Sequence, residues 1–246
     1  MAACALRAAA RWGSIADNEV RFMKLVRFGA PGREKPGIID ASGRIRDLSQ
    51  SVPDIAGEWL SRRGLGKIRK IPLEKLPVVR RGVRLGPCVG DTRHFIGIGL
   101  NYADHAAEAG IPIPEEPIVF EKAPSSICGP DDETMIPKGA AKLDWEVELA
   151  IVIGERARYL SKKDALEVVA GYCVCNDVSE RSFQLERHGQ WTKGKSCETF
   201  GPLGPWLVTR DEIKDVQRLD MWLDVNGEKR QRGTTKTMIF GVAHLV

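Results

Sequence analysis

The chain has 246 residues, 43% of them hydrophobic, with 37 Lys and Arg against 33 Asp and Glu for a formal charge of +4. That length can bury a core as one large domain or two small ones. The basic excess is small and interspersed with acids, and only 3 tyrosines are present, which argues against nucleic acid as a partner; no apolar run reaches membrane-spanning length, so no membrane partner is expected either.

Residues 1–12 are rich in Arg and Ala, with no acid before Asp17. This composition fits either a mitochondrial transit peptide or an upstream extension of the reading frame. The expectation is an extension over residues 1–22 without fixed structure. The cysteines Cys4, Cys88, Cys128, Cys173, Cys175 and Cys197 show no paired spacing for a zinc ribbon or a disulfide framework, which fits a reducing cytoplasm. Mitochondrial targeting is the alternative.

Residues 23–86 read as a small β-rich domain. Short alternating runs at Lys24–Phe28, Gly37–Ile39 and Arg44–Leu48 are separated by turn signals at Pro31-Gly32 and Asp40-Ala41-Ser42-Gly43. Ile55–Leu60 and Leu73–Leu76 read as short helices, and the basic stretch Arg62–Lys70 as a solvated helix face or loop. Residues 87–246 form the expected catalytic domain, with strands and brief helices but no βαβ alternation.

Three clusters in that region carry chemistry. His105 and Glu108 lie three apart in an alanine-rich segment that Gly110 should stop; on a helix they would share a face. Glu146 and Glu148 interrupt the apolar run Leu143–Ile153, which reads as a strand, so both should project from one side. Taken alone, such a pair also reads as a solvated strand face. Asp177 ends a second β-rich run, Tyr172–Asn176. Together these residues suggest a three-carboxylate site for Mg²⁺ or Mn²⁺, with Ca²⁺ as a possible substitute, beside a His–carboxylate pair.

Two glycine motifs are set aside. Gly97-Ile98-Gly99 lacks the third dinucleotide glycine, because position 102 is Tyr102. Gly189–Ser196 matches the phosphate-loop pattern literally, but such a loop must leave a strand and open a helix. Ser179–Arg187 before it reads as a polar helix, and two prolines and two glycines follow within 201–205.

Four ordered segments carry a family likeness: Phe95–His105, Asp144–Leu149, Asn176–Arg181 and Trp191–Ser196. From Met23 to Val246 the chain resembles the fumarylacetoacetate hydrolase family, in its bacterial branch of acylpyruvate and 2,4-diketo-3-deoxy-sugar-acid hydrolases. The resemblance implies an α+β, predominantly β fold, a mixed multilayered β-roll with a small N-terminal β-rich domain, and a homodimer in the full-length family form. It implies divalent-metal-dependent hydrolysis of a C–C bond in a β-diketo acid, of fuconate or rhamnonate type or an acylpyruvate, giving pyruvate or a related 2-oxo acid plus a carboxylic acid. On the same implication Glu146, Glu148 and Asp177 are the metal ligands, and His105 is the base, oriented by Glu108. Lys195 would hold the oxyanion and Gln184 would bind substrate. Arg181 stays open between the substrate carboxylate and a structural salt bridge. Ureidoglycolate lyase and oxaloacetate decarboxylase are the alternatives on the same platform. The segment Thr237–Val246 ends in an apolar run, and the family continues beyond such a segment, so a C-terminally incomplete catalytic domain, and with it an inactive truncated paralogue, is also an expectation.

Overall fold

The computed structural model describes residues 22–246; apart from Phe22, the expected extension lies outside the described residues. β1 (Lys24–Phe28), β2 (Lys35–Ile39) and β3 (Ile45–Asp47) form an antiparallel meander. Its turns fall at the predicted signals, where Gly32 and Gly43 take φ of 70° and 75°. The two runs read as short helices are single 3₁₀ turns, Gly57–Leu60 and Leu73–Lys75. The basic stretch is α1 (Arg62–Arg69), capped by the Ser61 hydroxyl, which accepts from Gly64 N at 3.0 Å. Leu65 and Ile68 turn inward from it while Arg62, Arg63 and Lys67 are exposed.

β4 (Phe95–Gly99) and β5 (Ile118–Lys122) pair with each other, with α2 (Ala103–Ala109) between them. Gly110 ends α2 in the left-handed conformation at φ 64°, as the sequence predicts. The chain continues through β6 (Ile127–Cys128), β7 (Leu143–Asp144), β8 (Val147–Ile153), β9 (Val169–Asn176), β10 (Ser179–Glu180), α3 (Arg181–Leu185), α4 (Thr192–Lys195) and β11 (Gly201–Thr209). A hairpin of β12 (Asp220–Val225) and β13 (Glu228–Thr234) and a final turn of helix, α5 (Val242–Leu245), follow. The fold is predominantly β with brief helices, as expected.

The main sheet runs β3-β2-β1-β11-β9-β8, with β6 added in parallel to β11. Leu25 of β1 lies opposite Leu207 of β11, so the N-terminal meander is continuous with the strands that carry the acidic residues. The boundary drawn after residue 86 therefore does not divide the sheet. One core crosses it: Leu25, Ile38, Ile55 and Ile68 pack with Cys173, Cys175, Leu203 and Leu207. Each such aliphatic side chain contributes roughly 1.5–3 kcal/mol of burial. A second cluster packs Leu149, Ile151 and Tyr172 with Val216 and Val242.

The run Leu143–Ile153 is not one strand. β7 pairs with β10, Asp144 opposite Ser179, whereas β8 pairs with β9, Val147 opposite Asn176. The chain changes partner across Trp145 and Glu146. There Glu146 N donates to the Asn176 side-chain oxygen at 3.1 Å, and Asp177 N donates to the Glu146 carbonyl at 2.9 Å.

Candidate active site

Side-chain alternation puts Val152, Ala150 and Glu148 on one face of β8, opposite Gly171, Cys173 and Cys175 of β9. Ala150, Val152 and both cysteines belong to the main core. The face changes from apolar to acidic at its end, where Glu148 is followed by Glu146 and Asp177. The two cysteines thus serve as core residues, and burial raises the Cys175 thiol pKa, with the Asp177 charge adding to it.

Three cations meet the acidic end. Lys195 Nζ donates to Glu146 Oε2 at 2.8 Å and to Asp177 Oδ2 at 2.7 Å. Lys122 Nζ forms an ion pair with Asp177 Oδ1 at 2.6 Å, and that oxygen is buried. Arg181 Nη2 pairs with Glu146 Oε1 and, at 2.7 Å, with Asp144 Oδ2. Burial acts to raise the Asp177 pKa, but Lys122 and Lys195 outweigh it and hold the carboxyl below its usual range. Glu148 differs. Burial, then the charges of Glu146 and Asp177, push its pKa up to about 8, with only Lys195 opposing. No ion pair or hydrogen bond reaches its carboxylate among the described residues.

The predicted residues divide accordingly. Glu146, Glu148, Asp177 and Lys195 are brought together. Gln184, which on its segment reads as a surface residue, is buried, and its Oε1 accepts from Arg181 Nη1 at 2.9 Å. Arg181 is engaged with Asp144, Glu146 and Gln184, so the structural salt bridge is the reading the geometry favours. His105 and Glu108 do lie on α2, but both are exposed and no hydrogen bond or ion pair joins their side chains. The expected orientation of His105 by Glu108 is corrected on this point: both are exposed, and there a three-residue spacing brings two side chains near without holding them.

Two residues went unpredicted. Lys122 is 1% exposed, and besides its ion pair with Asp177 it donates to the carbonyls of Val178 and Lys195. Its signal was present in the alternation of β5, which puts Lys122 on the same side as Ile118 and Phe120. Tyr102, at the start of α2, has a buried hydroxyl without a partner; burial raises its pKa, and the charges of Glu148 and Asp104 add to it. No local pattern marks it.

The elements that carry these groups are clamped. The Glu180 carboxylate accepts from Lys142 N at 2.8 Å, Ala141 N at 3.2 Å and Ser182 N at 3.0 Å, tying the approach to β7 to the start of α3. The phosphate-loop look-alike forms α4, a helix of only four residues. A Cβ at Gly194 would stand 2.4 Å from Glu180 O and 2.5 Å from Gln184 N, so glycine there allows α4 to close onto α3 and aims Lys195 inward.

The donor set suits a hard divalent cation, which takes carboxylate oxygens. The buried Asp177 Oδ1 accepts no hydrogen bond, as an oxygen reserved for such an ion would, but Lys122 Nζ stands 2.6 Å from it. As placed, however, no three His, Cys, Asp or Glu side chains among the described residues are arranged to hold a metal. Glu146 and Asp177 converge on the Lys195 ammonium instead, so the expected three-carboxylate set is not closed around one point. No helix of the described residues is long and apolar enough to cross a membrane.

Residues 94–246 match the profile described as Fumarylacetoacetate (FAA) hydrolase C-terminal. A Burkholderia cenocepacia relative, provisionally named a hydrolase, is 62% identical over 224 residues, covering 91% of this chain and 79% of its own. The fumarylacetoacetate hydrolase structure from Exiguobacterium antarcticum is 36% identical, with a TM-score of 0.74 over 91% of this chain and 79% of that one. A maleylpyruvate hydrolase from Sphingobium sp. SYK-6, solved with manganese(II) and pyruvate, is 26% identical with a TM-score of 0.73, over 91% and 81% of the two chains.

Proposed function

Because this chain belongs to the fumarylacetoacetate hydrolase family, we propose that it is a divalent-metal-dependent hydrolase that cleaves a C–C bond in a β-diketo acid. The substrate would be an acylpyruvate or a 2,4-diketo-3-deoxy-sugar acid, and the products pyruvate or a related 2-oxo acid plus a carboxylic acid. The observation that carries this reading is the pair Glu146 and Asp177 sharing one cation beside the partnerless Glu148, at the end of a buried strand face. The similarity to a maleylpyruvate hydrolase supports the acylpyruvate class.

Mg²⁺ or Mn²⁺ held by Glu146, Glu148 and Asp177 would supply polarisation of a 2-oxo acid and charge stabilisation of the departing enolate. The chain's own groups do the rest. His105, one helical turn beyond Tyr102, takes a proton from water, and the hydroxide so formed adds to the distal carbonyl. Collapse of that adduct breaks the C–C bond, its electron pair leaving as the enolate. The enolate carbon takes the proton back from His105 to give the 2-oxo acid. Lys195 Nζ holds the oxyanion that develops there. Gln184 has its Oε1 committed to Arg181, which leaves its NH₂ to donate to the substrate. Arg181 holds Glu146 from the far side.

Pyruvate release from acylpyruvates, measured with and without EDTA, tests the reading. Release that EDTA abolishes and Mg²⁺ or Mn²⁺ restores is the expected result. CO₂ release from oxaloacetate with no acylpyruvate cleavage would instead select a decarboxylase, and cleavage indifferent to EDTA would remove the metal.

A further inference from the structure

We propose that Asn101 is a positioning residue: it fastens the start of α2 to the segment Thr237–Phe240 and so sets where His105 stands relative to the carboxylates. The inference rests on the reading of His105 as the base. Helix α2 has little to hold it in place by itself. It has seven residues, and of its described side chains only Ala106 is buried, while Asp104, His105, Ala107 and Glu108 are exposed. A helix this short, burying so little, is marginal alone. Its placement has to come from its ends.

The first end supplies it. Asn101 is 5% exposed, and its side chain grips the backbone of Phe240. Oδ1 accepts from Phe240 N at 2.9 Å, and Nδ2 donates to Phe240 O at 3.0 Å. The Asn101 carbonyl accepts from Ile239 N at 2.9 Å. Beside this clamp Tyr102 forms a β-bridge with Met238, and the Thr237 hydroxyl donates to Asp104 Oδ1 at 3.1 Å. Leu100, just before, holds a φ of 50°, a conformation that a bulky side chain keeps only where its surroundings enforce it. The gripped segment is itself fixed. Met238 and Val242 pack with Leu149 and Ile151 of β8, the strand that carries Glu148. Gln217 Oε1 accepts from Val242 N at 2.7 Å, and its Nε2 donates to Thr235 O at 2.9 Å. Asn101 thus ties the helix that bears the base to the strand that bears an acid, and a misplacement of about 1 Å can cost 10²-fold in rate.

A double-mutant cycle on pyruvate release from an acylpyruvate tests this, with Asn101→Ala made in the wild type and in His105→Ala. In the wild type kcat should fall by about 10-fold or more with KM little changed. In His105→Ala the same substitution should change kcat by no more than ~2-fold, because the group it positions is gone. An equal loss in both backgrounds would make Asn101 a general support of the fold and overturn the inference. Wild-type kcat in Asn101→Ala overturns it while leaving the base standing. Undiminished turnover in His105→Ala removes the base and the inference together. If Asn101→Ala does not fold, Thr237→Val, which loses only the hydroxyl that reaches Asp104, runs the same cycle with a smaller loss expected, and no loss overturns the inference. Hydrogen exchange read by mass spectrometry gives a measure free of turnover: α2 amides should exchange faster in the folded variant while β8 and β9 stay protected. Unchanged exchange in α2 overturns the inference.

Discussion

The Lys122 ammonium lies 2.6 Å from Asp177 Oδ1, and both residues are buried, at 1% and 7% exposure. Lys122 ends β5 and Asp177 follows β9, so this ion pair joins the two-stranded β4–β5 unit to the main sheet at the acidic end of its face. The same ammonium donates to the Lys195 carbonyl, which ties the backbone of α4 to the pair.

Lys122→Met should therefore be costly. Breaking a buried pair from one side costs up to about 3–5 kcal/mol, and Lys195, 2.7 Å from Asp177 Oδ2, keeps the loss below that limit. Urea denaturation followed by tryptophan fluorescence would show it as a lower midpoint. A midpoint equal to that of the wild type would mean that Lys195 alone neutralises Asp177.

Glu146→Gln, Glu148→Ala and Asp177→Asn should each weaken Mn²⁺ binding and shift the Mg²⁺ dependence of pyruvate release. Calorimetric titration of the metal gives the direct reading. If Glu148→Ala binds Mn²⁺ as the wild type does, the ligand set is wrong at that position.

His105→Ala should lower turnover by roughly 10²-fold or more, as loss of a general base does, with metal affinity nearly intact. Parallel losses of affinity and rate would make His105 a ligand. Undiminished turnover would remove it from the chemistry, and Glu108→Gln separates a role for the neighbouring carboxylate, which in this structure does not touch the imidazole.

Asp40 supplies a pH dependence away from the site. Burial acts to raise its pKa, but hydrogen bonds from the Ser42 hydroxyl, Arg46 and the backbone N–H groups of Arg44 and Ser42 outweigh it, holding the carboxyl well below its usual 3.8. A folded-state pKa below the unfolded one contributes stability that is present above the unfolded value and is lost as pH falls toward the folded value. The stability gap between the wild type and Asp40→Ala should thus be constant from pH 7 to about pH 4 and shrink at more acid pH. A gap that widens on acidification would contradict the assignment.

Glu146, Glu148, Asp177 and Lys195 could be singled out from sequence because their signals are local. Strand alternation sets Glu148 on the core-facing side, and the segment around Lys195 belongs to an ordered family pattern. The positions of the N-terminal strands and the stop at Gly110 were legible for the same reason: propensity, turn chemistry and capping act over a few residues.

Tertiary structure alone decided who neutralises whom. The pairing of Arg181 with Asp144 and Glu146, the enclosure of Lys122 and the lone hydroxyl of Tyr102 depend on contacts between segments 35 to 73 residues apart or more. It also decided that Leu143–Ile153 breaks at Glu146, because β7 and β8 find different partners. Periodicity tells which side a residue faces. It carries no information on which charge from a distant segment will stand there, since long-range packing sets distances, and charge interactions depend steeply on distance and burial.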